Sequence, residues 1–146
     1  MNELTGGCDC GNILFEMESA LDFRLVNPRA CDCDFCVKHG AAYISDANGK
    51  LKVRIKDKAN LSEYHQGSGI ASFLVCKQCG VLIGGYYESN NQIYAAINSR
   101  SVNRDVHFGL DMVSSPKVLT DDEKTQRWRE LWFSHVEIEY NSNSLE

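Results

Sequence analysis

The sequence predicts a mainly β protein of short antiparallel strands with one short helix near its C-terminus, and three observations carry that reading. Stretches rich in β-branched and aromatic residues recur along the 146-residue chain. Turn-forming clusters separate them: Asn27-Pro28, Asp46-Ala47-Asn48-Gly49 and Gln66-Gly67-Ser68-Gly69. Near the end, Thr120 stands three residues before Glu123, the spacing of a capping box that opens a helix.

Taken in order, strands are expected at 12–18, 22–26, 41–44, 51–56, 62–66, 71–76, 81–87 and 92–97. In the fourth, Leu51, Val53 and Ile55 alternate with Lys50, Lys52, Arg54 and Lys56, so one face packs and the other is solvated. The helix is expected at 121–131, with Trp128 and Trp132 one turn apart on one face and packed in the core. A closing strand follows at 136–140. No repeat or linker divides the chain, which reads as one domain over 1–146, with an Asn/Ser tail from about 141 to 146 expected to be disordered.

Composition excludes several function classes. The net charge is −5 and nothing demands the basic face that a phosphate-binding surface shows, so no nucleic-acid partner is expected. No apolar run is long enough to cross a bilayer. Residues 1–7 have neither a basic start nor an apolar stretch, so no export signal is read and the cytoplasm is the expected compartment. Seven cysteines, an odd number without an export signal, argue against a disulfide framework and for metal ligands or redox groups.

The cysteines fall into three clusters: Cys8-x-Cys10-Gly11, Cys31-x-Cys33-x-x-Cys36 and Cys76-x-x-Cys79-Gly80. The last has the form of a zinc knuckle, in which two intervening residues let both sulfurs face one ion and glycine supplies a positive φ. A structural zinc prefers four ligands, and Cys8 and Cys10, on one side of an extended chain, can complete the set. A redox dithiol at Cys76 and Cys79 is the rival reading, weakened by the lack of a βαβ pattern around it. Cys31, Cys33 and Cys36 can reach a second ion with no cysteine left to close its shell, the arrangement a catalytic zinc requires. His39 could instead supply a fourth ligand and close the site, and Asp32 or Asp34 could do so less well. Lys38 and His39 are placed to offset charge or hold a substrate carboxylate, and Tyr43, Tyr86 and Tyr87 are possible pocket residues.

These three motifs, with Thr5-Gly6-Gly7 before Cys8, Gly40-Ala41 after the second and Phe73-Leu74-Val75 before the third, resemble the glutathione-dependent formaldehyde-activating enzyme family. That family is similar to Mss4-like proteins and includes a centromere protein-V branch; the resemblance runs from about Leu4 to Gly85. It implies a β-tent clamped by two zinc ions: Cys8, Cys10, Cys76 and Cys79 match the structural ligands, and Cys31, Cys33 and Cys36 match the catalytic ones. The implied activity is a carbon–sulfur lyase that makes or breaks S-hydroxymethylglutathione, with glutathione and formaldehyde as partners. In this chain Asp32 and Asp34 would place two carboxylates beside the ion, a charge that opposes an anionic ligand. The alternative is a zinc-stabilised binding module, a thiol carrier or a protein-interaction domain, because one fold hosts many functions.

Overall fold

A computed structural model describes residues 2–103 and 105–141; positions 142–146, most of the tail expected to be disordered, lie outside the described residues. β1 (Asn2–Gly7) and β2 (Ile13–Ser19) pair antiparallel around the turn that carries Cys8 and Cys10. β2 buries Ile13, Phe15 and Met17 and exposes Leu14 and Glu16, the period-two pattern of a half-buried strand. The strand expected at 22–26 is instead a single 3-10 turn, Phe23–Leu25. The Asp22 carboxylate accepts the backbone N–H of Arg24 at 3.1 Å, and such a local bond competes with strand pairing.

β3 (Arg29–Cys31) leads into α1 (Asp34–His39), a second helix that the sequence reading did not foresee. Six residues are too few for helical periodicity to register. The helix is held at its ends: Cys33 Sγ accepts the Cys36 N–H at 3.5 Å, and Gly40 closes it in the left-handed conformation, φ +61°. That closure takes up Ala41 and Ala42, so β4 is only Tyr43–Ile44 where a strand from 41 was expected. β5 (Lys50–Ile55), β6 (Leu61–His65), β7 (Ser72–Cys76), β8 (Leu82–Ser89) and β9 (Gln92–Asn98) then fall within a few residues of their expected places. A short β10 (Met112–Ser114) precedes α2 (Asp121–Leu131) and the closing β11 (His135–Tyr140). The capping box of α2 is complete: Glu123 N–H donates to Thr120 Oγ1 at 3.2 Å, and Thr120 N–H to Glu123 Oε1 at 2.8 Å. A cap of this kind contributes about 1 kcal/mol.

The strands form two sheets, one ordered β1-β2-β5-β11 and the other β10-β3-β4-β9-β8-β7-β6. Most pairs are antiparallel as expected, but β5–β11 and β3–β10 are parallel. Both are closed by segments returning from far along the chain, and long connections are what parallel pairing needs. The core lies between the sheets, where Ile13, Met17, Val53 and Ile55 meet Ile83, Ile97 and Phe133, none more than 1% exposed. Side chains buried this completely contribute roughly 1.5–3 kcal/mol each relative to exposure. On the outer face of the first sheet, Lys52 reaches Glu137 and Glu139 and Arg54 reaches Glu16 and Glu139, which accounts for the alternating basic residues of β5. This mainly β architecture, with two helices where one was expected, agrees with the Mss4-like expectation.

Candidate metal centres

Two knuckle-like turns face each other across the edge of the core. In the first, Cys8 N–H donates to Ile13 O at 2.9 Å and Ile13 N–H returns to Cys8 Sγ at 3.2 Å, while Gly11 takes φ +84°. In the second, Gly80 N–H donates to Cys76 O at 2.8 Å and Cys79 N–H to Cys76 Sγ at 3.4 Å, while Gly80 takes φ +82°. The result brings all four Sγ atoms of Cys8, Cys10, Cys76 and Cys79 within 4.8 Å of one another.

The fit to a metal can be tested by distance. Sulfurs at the corners of a zinc-sized tetrahedron lie about 3.8 Å apart. Cys8 Sγ is 3.7 Å from Cys10 Sγ, and Cys10 Sγ is 3.5 Å from Cys76 Sγ. Backbone N–H groups aimed at the sulfurs favour the thiolate form that a metal needs. Burial raises the Cys79 thiol, but the N–H groups of Val81 and Cys10 and the neighbouring Cys76 outweigh it and bring the thiol down to about 6. Burial pushes the Cys8 thiol up. These four residues fit a metal ion; they also join the β1–β2 turn to the β7–β8 turn, so an ion here would tie the two sheets together.

The second group is built differently. Cys31 ends β3, Cys33 caps α1 and Cys36 lies inside α1, with all three Sγ atoms within 4.8 Å of one another. Cys36 is fully buried, and its sulfur lies 3.1 Å from the hydroxyl of buried Tyr43. A hydrogen bond from Cys36 draws the Cys31 thiol down to about 6, and the same interaction raises the Cys36 thiol. Burial raises both Cys33 and Tyr43, so the phenol stays protonated and can donate to sulfur. Among the described residues no histidine or carboxylate joins either sulfur group. The His39 ring packs on Phe35, with centroids 4.7 Å apart. Asp32 accepts from Ser115 Oγ at 2.5 Å and lies 3.9 Å from Lys117 Nζ, and Asp34 is exposed at the start of α1.

The three sulfurs border a cavity of about 140 Å³. Sequence reasoning found Tyr43 on its lining and missed most of the rest. Lys38 and His39, expected to meet a substrate, are exposed in the last turn of α1 and do not line it. Lys38 lies two residues beyond Cys36, about 200° around the helix, and so faces away from the sulfurs. The cations on the lining are Arg29, Lys117, Lys124 and Arg127. Its apolar wall includes Phe73, Leu131 and the indoles of Trp128 and Trp132, which stack with centroids 4.7 Å apart. Tyr87 packs against both indoles and Tyr86 donates to Glu63 at 2.5 Å, so neither belongs to the cavity.

Two signals could have found the missed residues. Arg29 stands two before Cys31 on a strand, hence on the same side. Lys124, Arg127, Trp128 and Leu131 have the i, i+3, i+4, i+7 spacing of one helical face. Arg29 donates to Ser45 Oγ at 2.7 Å, and Ser45 Oγ donates to Leu131 O at 2.7 Å, so a neutral relay ties β3 to α2 across the cavity. Burial, and then the charge of Arg127, lower Arg29 to about 10.

A family model described as glutathione-dependent formaldehyde-activating enzyme matches residues 3–112. A crystal structure of a protein from Rhodobacter sphaeroides is also similar: 26% identical, covering 66% of this chain and 85% of that one, with a TM-score of 0.47.

Proposed function

The chain belongs to the glutathione-dependent formaldehyde-activating enzyme family, and from that premise we propose that it is a zinc-dependent carbon–sulfur lyase acting on a thiol–aldehyde adduct of the S-hydroxymethylglutathione type. One observation carries the reading. Three thiols converge beside a cavity, and no fourth protein donor joins them among the described residues. Three protein ligands with room for an exchangeable one is the pattern of a catalytic zinc, whereas four thiols that fill the shell is that of a structural one. Cys31, Cys33 and Cys36 are therefore assigned the catalytic ion and Cys8, Cys10, Cys76 and Cys79 the structural ion.

A substrate thiol on the fourth position of a zinc held by these three residues would lose its proton near neutral pH. The chain's own groups prepare that position. With Cys36 ionised on a metal, the Tyr43 hydroxyl, 3.1 Å away, would donate a hydrogen bond to Cys36 Sγ, and the Cys36 N–H points at Cys33 Sγ, which would spread the negative charge of the thiolates. The apolar wall of Phe73, Leu131, Trp128 and Trp132 keeps bulk water from the reacting atoms. In the adding direction the substrate sulfur bonds to the aldehyde carbon, the carbonyl π pair moves to oxygen, and that oxygen takes up a proton equivalent to the one the thiol released. In reverse the hydroxyl proton leaves, the carbonyl reforms, and the carbon–sulfur pair returns to sulfur. No oxidant or reductant enters. Holding both partners in one small cavity makes the encounter effectively unimolecular. All seven cysteines are free, which suits the reducing cytoplasm.

Zinc stoichiometry with zinc-edge absorption spectroscopy, with and without glutathione, tests the proposal. Two ions per chain, one of them gaining a sulfur on addition of glutathione, is the expected result. Two ions whose shells do not change would overturn it in favour of a binding module with both sites closed.

A further inference from the structure

Among the described residues the two sheets have four edge strands, and the edges are not alike. β1 carries Glu3, β6 carries Glu63, and β11 carries Glu137 and Glu139. Charge on an edge strand is one way a sheet resists pairing with another chain. The fourth edge, β10, is Met112, Val113 and Ser114 and has no charge. Asp111, just before it, is already paired with Arg100. The backbone ladder here is longer than the strand itself. It runs from Gly109 N–H on Val26 O at 2.8 Å, through Met112 N–H on Pro28 O at 2.8 Å, to Asp32 N–H on Ser114 O at 2.9 Å. Alternate residues of a strand turn their backbone groups to opposite sides. With Met112 and Ser114 bonded inward, the N–H and C=O of Val113 point away from β3.

The surface around that edge is apolar. Val113 is 80% exposed, Met112 58% and Leu110 86%, and the Gly109–Val26 bond brings Leu25, 78% exposed, alongside. These four side chains present on the order of 500 Å² of apolar surface. A standard interface takes about 800 Å² from each partner, of which about 65% is apolar in homodimers. The edge therefore offers about the apolar share that a stable dimer needs.

We propose that β10 pairs antiparallel with β10 of a second copy of this chain, across a two-fold axis that passes through Val113. A two-fold contact requires a surface that complements itself. In this register the two Val113 residues exchange both backbone bonds, Met112 faces Ser114 of the second copy, and Asp111 faces its Ser115, so no like charges meet. The two seven-stranded sheets become one. Ser114 also lines the cavity, so the interface runs beside it. The inference rests neither on a metal nor on the lyase reading.

Sedimentation equilibrium of the full chain tests it. Wild type is expected at twice the chain mass. A monomer at roughly 100 μM, well above the micromolar limit for interfaces of this size, overturns the proposal. Because Val113 faces itself, Val113→Lys and Val113→Glu each set two like charges together, and each should weaken the dimer at least about a hundredfold. Mixing the two variants sets opposite charges together, and the mixed dimer should return to within about tenfold of wild type. Val113 is exposed, so both variants are expected to fold, which circular dichroism checks. A dimer that neither charge weakens, or that the mixture does not restore, has its contact elsewhere and overturns the proposal. Leu110→Ser decides the matter should a charge variant fail to fold: it should weaken the dimer about tenfold, and an unchanged dimer overturns the proposal.

Discussion

The two sulfur groups use the same residue type to opposite ends. Cys8, Cys10, Cys76 and Cys79 sit in two glycine-closed turns from different parts of the chain; Cys8 and Cys76 are buried against the core while Cys10 is exposed. Cys31, Cys33 and Cys36 come from one short stretch that opens a helix, and beside them is a cavity. A group assembled from distant turns loses its geometry when the fold fails, so metal affinity there is folding energy. A group assembled locally can lose its ion while the rest of the protein stays intact. Under the proposed assignment, the two groups differ in ligand count and also in the sequence distance between their ligands.

Breaking the clamp should have the largest effect. Structural zinc contributes roughly 10–16 kcal/mol in small domains, which equals or exceeds the whole stability of a typical one. Cys76→Ser is therefore expected to be unfolded at 25 °C by circular dichroism. Cys33→Ser should lose one zinc per chain by elemental analysis and all lyase activity, yet remain folded, at a cost on the order of 1 kcal/mol. If urea titration finds it as unstable as Cys76→Ser, the division between the two centres does not hold. Gly80→Ala sharpens the comparison at the backbone. An added Cβ would meet nothing within 4 Å, so the positive φ alone should cost about 1–2 kcal/mol, read from the urea midpoint. Tyr43→Phe is the smallest change. Losing one hydrogen bond to Cys36 should cost about 1 kcal/mol of zinc affinity at the three-thiol centre only, measured by competition with a chelator.

Much of this was legible in the sequence, because the signals are local. Each knuckle needs its cysteine spacing and its glycine within a few residues, and the capping box of α2 is complete in Thr120 and Glu123. α1 was not legible: its N-cap is a thiol, Cys33, whose spacing reads as metal ligation and not as a helix start. Nor were the cations at the cavity. Arg29 and Arg127 are far apart in sequence, and it is long-range tertiary packing, including the Arg29–Ser45–Leu131 bonds, that brings α2 across from β3. Lys38 and His39 drew attention through nearness in sequence to Cys36, but Lys38 is turned to another side of the helix and the His39 ring packs on Phe35.

One part of the cavity wall, the α2 residues Trp128, Leu131 and Trp132, follows every cysteine in the chain. All the sulfurs have been made once Cys79 is synthesised, and β7 and β8 complete their turn soon after, whereas Trp128 and Trp132 emerge later. Synthesis proceeds at about 5–20 residues per second, and parts that emerge first can fold first. Metal capture can thus precede closure of the site, with the thiols still open to the surrounding solution when an ion arrives. If the clusters hold metal as proposed, loading would be a matter of timing on the ribosome, and the finished protein would not need to open to receive its ions.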